Sequence, residues 1–179
     1  MQSQITKTGP LDVGSLARQL VADGIIDAAS AKRLRLSPPR SGDKVQHVLN
    51  YIAGEQLHDQ SRQGRALTMD SLLEWLAVHC GQAPMRIDPL KIDVPAVTEV
   101  MSFAFAQRHR ILAVAVTPKE VVIAGGEPFV NAWEADLQQV LRKPIRRVIA
   151  DPEAIDRFTV EFYSLAKSVR GASGDNSRR

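Results

Sequence analysis

The sequence predicts an α+β fold, a helical N-terminal part followed by a small three- to four-stranded sheet packed by helices. Three observations carry that reading. Apolar residues recur at helical spacing through residues 11–57. Three short apolar runs, residues 111–116, 120–124 and 145–150, have the length and bounding turns of strands. The last run leads into Asp151-Pro152-Glu153, a strong helix start: a capping aspartate, a proline at the first position, then an acid near the positive helix end.

The elements follow in order. Val13, Leu16, Leu20 and Val21 form one stripe, and Gly24 suits the left-handed position that ends such a helix. Asp27 caps a second helix reaching about Leu36, which Pro38-Pro39 stops. Val45, Val48, Leu49, Ile52 and Leu57 predict a third helix over residues 43–58. Residues 59–66 are polar and read as a loop between two subdomains. Thr68 or Asp70 caps the next helix, whose buried face is Leu72, Leu73, Leu76 and Ala77 and which Gly81 ends.

Residues 85–92 alternate apolar and polar around Pro89, which predicts an edge strand or an extended arm. Val97, Val100, Met101, Ala104 and Phe105 then repeat at i, i+3, i+4, i+7 and i+8, which predicts one helix delivering His109 into the first strand. Thr117-Pro118-Lys119 turns the chain into a hairpin. A helix on Phe129, Trp133, Leu137, Val140 and Leu141 ends at Pro144, and the last helix turns Ile155, Phe158, Phe162 and Val169 inward. The expected organisation is a disordered N-terminus over 1–10, a helical subdomain over 11–66, an α+β domain over 67–170 and a linker over 171–179, with the chain continuing beyond it.

Composition excludes several classes. A single cysteine, Cys80, cannot form an internal disulfide and suits a reducing compartment. The start has no apolar signal core, and no run approaches the roughly 18 apolar residues of a membrane span. The net charge of +3 comes from dispersed basic residues. Lys32, Arg33 and Arg35 on the second helix outline a helix-turn-helix, but a solvated face explains them as well, which disfavours a nucleic-acid partner.

No catalytic constellation emerges. The GxxxxGK[ST] phosphate loop and the GxSxG elbow are both absent. Gly125-Gly126 follows a strand, yet Glu127-Pro128 puts a negative charge at the next helix start and removes a donor, so tight-turn glycines are expected there. His47, His58, His79 and His109 lack metal-ligand spacing, and neighbouring His79 and Cys80 diverge on a helix, leaving Cys80 as an inert buried thiol. Asp88 and Asp93 read as turn and cap residues, and His109 as a cap at a helix C-terminus. The chain is expected to be noncatalytic, with no cofactor and no metal.

Five ordered segments carry a family resemblance. They are Leu72-Leu73-Glu74-Trp75-Leu76-Ala77; Ile87-Asp88-Pro89-Leu90-Lys91-Ile92-Asp93; Ala106-Gln107-Arg108-His109-Arg110-Ile111-Leu112; Val122-Ile123-Ala124-Gly125-Gly126-Glu127-Pro128-Phe129; and Val148-Ile149-Ala150-Asp151-Pro152-Glu153-Ala154-Ile155 with Tyr163. Together they resemble the N-terminal domain of type II secretion and type IV pilus assembly ATPases, the E-type secretion motor proteins. The departures are Ala113 in place of a usual proline and Glu127 in place of a usual aspartate.

The resemblance implies a structural signature at Asp88, Pro89, Asp93, Arg108, His109, Pro128, Pro152 and Tyr163. It implies a docking and regulatory domain preceding a hexameric ATPase, tethering that motor to the cytoplasmic part of an inner-membrane platform protein. Localisation would be cytoplasmic, peripheral to the inner membrane through that partner, without direct membrane insertion. Some relatives bind cyclic di-GMP through an early helical motif, and Leu16, Arg18, Leu20 and Gly24 follow its outline. Ser15 replaces its arginine, Ala17 its first glycine, and Pro38 falls at its closing glutamine. Losing that arginine removes the planar charged fork suited to a phosphate or a guanine edge.

Overall fold

A computed structural model describes residue 5, residues 7–37 and residues 39–175. Pro38, half of the expected disordered start and the end of the expected linker lie outside these residues. The chain divides into two compact units. The first is Met1–Pro84 with Glu127–Val130, and the second is Met85–Gly126 with Asn131–Arg179.

The first unit is built from helices α1 (Val13–Ala22), α2 (Ala28–Leu36), α3 (Val48–Gly54) and α4 (Met69–Cys80). Short strands lie between them: β1 (Arg40–Ser41) pairs with β2 (Lys44–Val45), and β3 (His58–Asp59) with β4 (Arg65–Ala66). β5 (Ala83–Pro84) ends the unit's first stretch of chain. Asp12, Asp27 and Thr68 each accept a backbone N–H three residues on, which fixes where α1, α2 and α4 start. Leu16, Leu20, Leu34, Leu49, Ile52, Leu67, Leu72 and Leu76 are sealed from solvent. Each such leucine or isoleucine stabilises the unit by about 1.5–3 kcal/mol.

Two expectations for this unit change. The third helix starts only at Val48, because the His47 imidazole accepts the Leu49 N–H and caps it there. Val45 therefore sits on a strand and is 79% exposed rather than buried on a helical stripe. The expected loop over 59–66 is a hairpin. Asp59 caps a single 3₁₀ turn over Gln60–Arg62, and Gln63 and Gly64 take positive φ values of 56° and 72° to bring the chain back.

The second unit holds the sheet. It contains helices α5 (Val94–Thr98), α6 (Phe103–His109), α7 (Glu134–Leu141) and α8 (Pro152–Asp175), and strands β6 (Ile111–Val116), β7 (Val121–Gly125) and β8 (Ile145–Ile149). β7 is central, antiparallel to β6 (Leu112 opposite Ala124) and parallel to β8 (Ala124 opposite Val148). The mixed α+β class therefore holds. Residues 111–114 and 121–124 are buried, as strands covered on both faces require. Helix α8 packs on α5, α6, β6 and β7 through Ile155, Phe158 and Phe162.

Several details differ from the sequence expectation. The helix expected before His109 is broken in two. Thr98 turns its hydroxyl back onto the carbonyls of Val94 and Pro95, and Ser102 restarts the chain by capping Phe105 N–H. Residues 85–92 form no strand; Met85 N–H bonds Ile149 O, and a 3₁₀ turn follows over Pro89–Lys91. Val140 is 77% exposed, since the short α7 turns only Leu137 fully inward. Val169 is 50% exposed because α8 outruns the body it covers; among the described residues of the helix, Ala166 is the last that is buried. The helix continues to Asp175, into the stretch expected as linker.

Gly126 is small for a reason other than a turn. Its φ is not in the left-handed region, and a Cβ there would lie 2.5 Å from Pro152 Cγ. Close approach of β7's end to the start of α8, not turn geometry, selects glycine.

Candidate functional site

Each unit gathers side chains that packing alone does not explain. In the first unit the centre is Asp23, the residue that closes α1. Its Oδ2 accepts from Trp75 Nε1 and His79 Nε2, both at 2.7 Å, and its Oδ1 accepts from Gln19 Nε2 at 2.9 Å. Burial works to raise this carboxyl, but the hydrogen bonds from Trp75, Gln19 and His79 outweigh it and hold it below the ordinary carboxylate range. Trp75 and His79 lie one helical turn apart on α4, with ring centroids 5.0 Å apart. The cluster is a clamp between α1 and α4.

The outline of the nucleotide motif lies on the same α1 helix. Leu16 and Leu20 point into the interior and are fully buried. Arg18 is exposed, with Nη2 3.3 Å from Ser15 Oγ, and Gly24 ends the helix with a φ of 71°. Ser15, at the position where the motif has arginine, is itself buried. The structure therefore does not bring all four residues to one surface: two leucines build the core, and one cation faces solvent.

A second brace in the first unit joins His47 to Glu127. His47 Nδ1 accepts the Leu49 N–H at 3.1 Å, so Nε2 carries the proton and donates to Glu127 Oε1 at 2.7 Å. Glu127 Oε2 also accepts the Leu11 N–H at 2.7 Å. Pro128 beside it is buried, and its carbonyl accepts from Gln82 Nε2.

In the second unit the signature residues shape the backbone. Asp88 Oδ1 accepts Leu90 N–H, Pro89 opens that 3₁₀ turn, and Asp93 Oδ1 accepts Ala96 N–H. Arg108 is exposed on α6, and the His109 ring lies 4.5 Å from Phe105. The left-handed cap after α6 is not His109 but Arg110, with a φ of 50°, whose Nε and Nη2 donate to Asp156. Pro152 is buried against Gly126. Tyr163 donates its hydroxyl to Met101 O at 2.7 Å, and burial pushes its phenol up to about 12. Cys80 is half-buried rather than sealed.

Beside Tyr163 a cleft of about 480 Å³ opens between the α5–α6 turn and α8. Among the described residues, no group of His, Cys, Asp or Glu could hold a metal ion, and no helix is long and apolar enough to cross a membrane. Sequence reasoning missed the Asp23 clamp, the His47–Glu127 brace and this cleft. Only the Trp75-to-His79 spacing, one turn on a helix, gave any local sign of the first.

The MshEN domain family matches residues 80–169, about half of the chain and most of the sheet-bearing unit. The chain belongs to the MshEN domain family. It is also 32% identical over 163 residues to the type IV pilus assembly ATPase TfpB of Acinetobacter baylyi. That alignment covers 90% of this chain but 28% of TfpB, so the chain spans little more than a quarter of that relative. Among solved structures, MshE with cdg has a TM-score of 0.51 at 18% identity, over 85% of this chain and 99% of that one. The N-terminal domain of XpsE has a TM-score of 0.36 at 14% identity, over 80% and 91%. The kinship with N-terminal domains of secretion and pilus ATPases, read from the five segments, is borne out by the family match and the TfpB homology.

Proposed function

We propose that this MshEN chain is the noncatalytic docking and regulatory part of a type II secretion or type IV pilus ATPase. It tethers the motor to the cytoplasmic part of an inner-membrane platform protein, with the ATPase domain of its own parent as second partner. The protein would then be cytoplasmic and held at the inner membrane through that partner. The observation that carries this reading is the family match over residues 80–169. The site geometry supports it. Asp88, Asp93, Ser102 and Asp151 spend their side chains on backbone N–H groups, so the polar residues of the sheet-bearing unit set a shape to be recognised. The signature residues Asp88, Pro89, Asp93, Arg108, His109, Pro128, Pro152 and Tyr163 are proposed as that scaffold.

Calorimetric titration of the chain against the cytoplasmic part of the cognate platform protein tests the reading. Saturable binding is expected, together with no ATP turnover by the chain. Absence of binding by a chain with native circular dichroism would overturn it, as would measurable turnover.

A second reading, a cyclic di-GMP sensor, is favoured by the exposed Arg18 on α1 and by the fold shared with MshE in its cdg complex. Calorimetry with cyclic di-GMP separates the two. A sensor binds the dinucleotide and weakens on Arg18→Ala, whereas a pure docking domain gives no heat.

A further inference from the structure

The cleft beside Tyr163 has no part in the roles above. Its volume of about 480 Å³ lies in the range that holds one or two side chains or a small ligand. Met101, Phe103, Tyr163 and Ser164 line it, and Lys167 and Arg170 stand on its α8 side. The walls are formed in advance: the Tyr163 hydroxyl is fixed on Met101 O, and the Phe103 ring leans on Tyr163 at 5.6 Å and 56°. Phe103 is nevertheless 38% exposed, an aromatic face left toward solvent.

The two cations decide the chemistry of the occupant. Lys167 and Arg170 are three residues apart on one helix, so both can reach a single bound segment. Neither has an ion-pair partner among the described residues, and no acidic side chain lines the cleft. A free phosphate would engage the cations and leave the aromatic walls unused. A neutral apolar ligand would fill the slot and leave both charges unanswered. A segment with an apolar side chain flanked by carboxylates answers both features.

We propose that this cleft docks an acidic peptide segment of a partner protein, seating one apolar side chain against the paired rings of Phe103 and Tyr163 and pairing its carboxylates with Lys167 and Arg170. The partner's identity rests on the docking reading above; the surface rests on the cleft alone.

Fluorescence anisotropy on the whole chain tests it with two labelled peptides, Glu-Asp-Leu-Phe-Glu-Asp-Leu and a version with every acid changed to lysine. The acidic peptide is expected to bind and the lysine version not. Lys167→Glu with Arg170→Glu should weaken the acidic peptide about tenfold or more, and Ser164→Trp, which fills the slot, should do the same. All three positions are exposed, so the variants keep the fold. No binding of the acidic peptide to the folded chain overturns the proposal, as does binding that neither variant changes or that the lysine peptide matches. Self-association abolished by Ser164→Trp would replace the peptide by a second copy of this chain. A platform domain that binds the chain equally well in all variants would leave the docking reading standing and remove this cleft from it.

Discussion

Asp23 concentrates more of the first unit's polar order than any motif residue does. An ionised carboxylate only accepts, and here Trp75, His79 and Gln19 all donate to it. Asparagine at this position would turn one acceptor into an amide donor facing another donor. Asp23→Asn is therefore expected to destabilise the protein by about 1–3 kcal/mol near neutral pH, measured by urea unfolding. The pH dependence has a definite sign. The folded carboxyl titrates below the ordinary aspartate range, so its contribution is fully present above that range and is lost as pH falls through the lowered folded value. The gap between wild type and Asp23→Asn should close as the pH falls into the acid range below that of an ordinary carboxylate. A gap that persists unchanged at pH 2 would remove the carboxylate from this account. The motif leucines Leu16 and Leu20 were legible in the sequence because helical spacing reveals a buried stripe. Asp23 was not, because its partners lie more than fifty residues away, at Trp75 and His79, and only folding brings them together.

At the scale of elements, the strands and the long last helix were readable, and the breaks between helices were not. β6, β7 and β8 fall close to their expected positions because each is a short apolar run between strong turn residues. The helix expected before His109 shows what periodicity hides. Val97 on α5 and Val100 and Met101 in the turn after it are buried as the stripe requires, whereas Ala104, expected on the same stripe, is exposed on α6. Apolar spacing records which residues face inward and is blind to a local hydroxyl that offers the backbone another partner. Ser102 is that hydroxyl: its Oγ takes the Phe105 N–H at 3.1 Å. Ser102→Ala should cost about 1 kcal/mol and lower the melting temperature by about 2–8 °C, while Ser102→Asp, which restores an N-cap oxygen, should recover most of it. Equal melting of all three proteins would show that the turn is held by packing alone.

On the scale of the whole molecule, the two compact units are not two consecutive stretches of chain. Glu127–Val130 belongs to the first unit although the residues on either side of it belong to the second. That arrangement was invisible in the sequence, where Gly125-Gly126-Glu127-Pro128 read only as a way out of the sheet. Its physical basis is the Glu127 carboxylate, which accepts from His47 Nε2 and Leu11 N–H, with the imidazole only 6% exposed. Glu127→Ala leaves both donors without their acceptor, and hydrogen bonds to a charged group are worth about 1.5–3 kcal/mol each. The loss should appear in the first unit, and the chain carries a built-in reporter: Trp75 lies in that unit and Trp133 in the other. In a Trp133→Phe background, the urea midpoint seen by Trp75 fluorescence should fall by about 1 M on Glu127→Ala. Glu127→Gln, which keeps one carbonyl oxygen as an acceptor, should fall between the two. A fragment of residues 1–84 lacks Glu127 and should unfold at least as early as the alanine variant. If Trp75 reports the same midpoint with glutamate and alanine at 127, the first unit closes without residues 127–130 and the boundary at Pro84 is its true end.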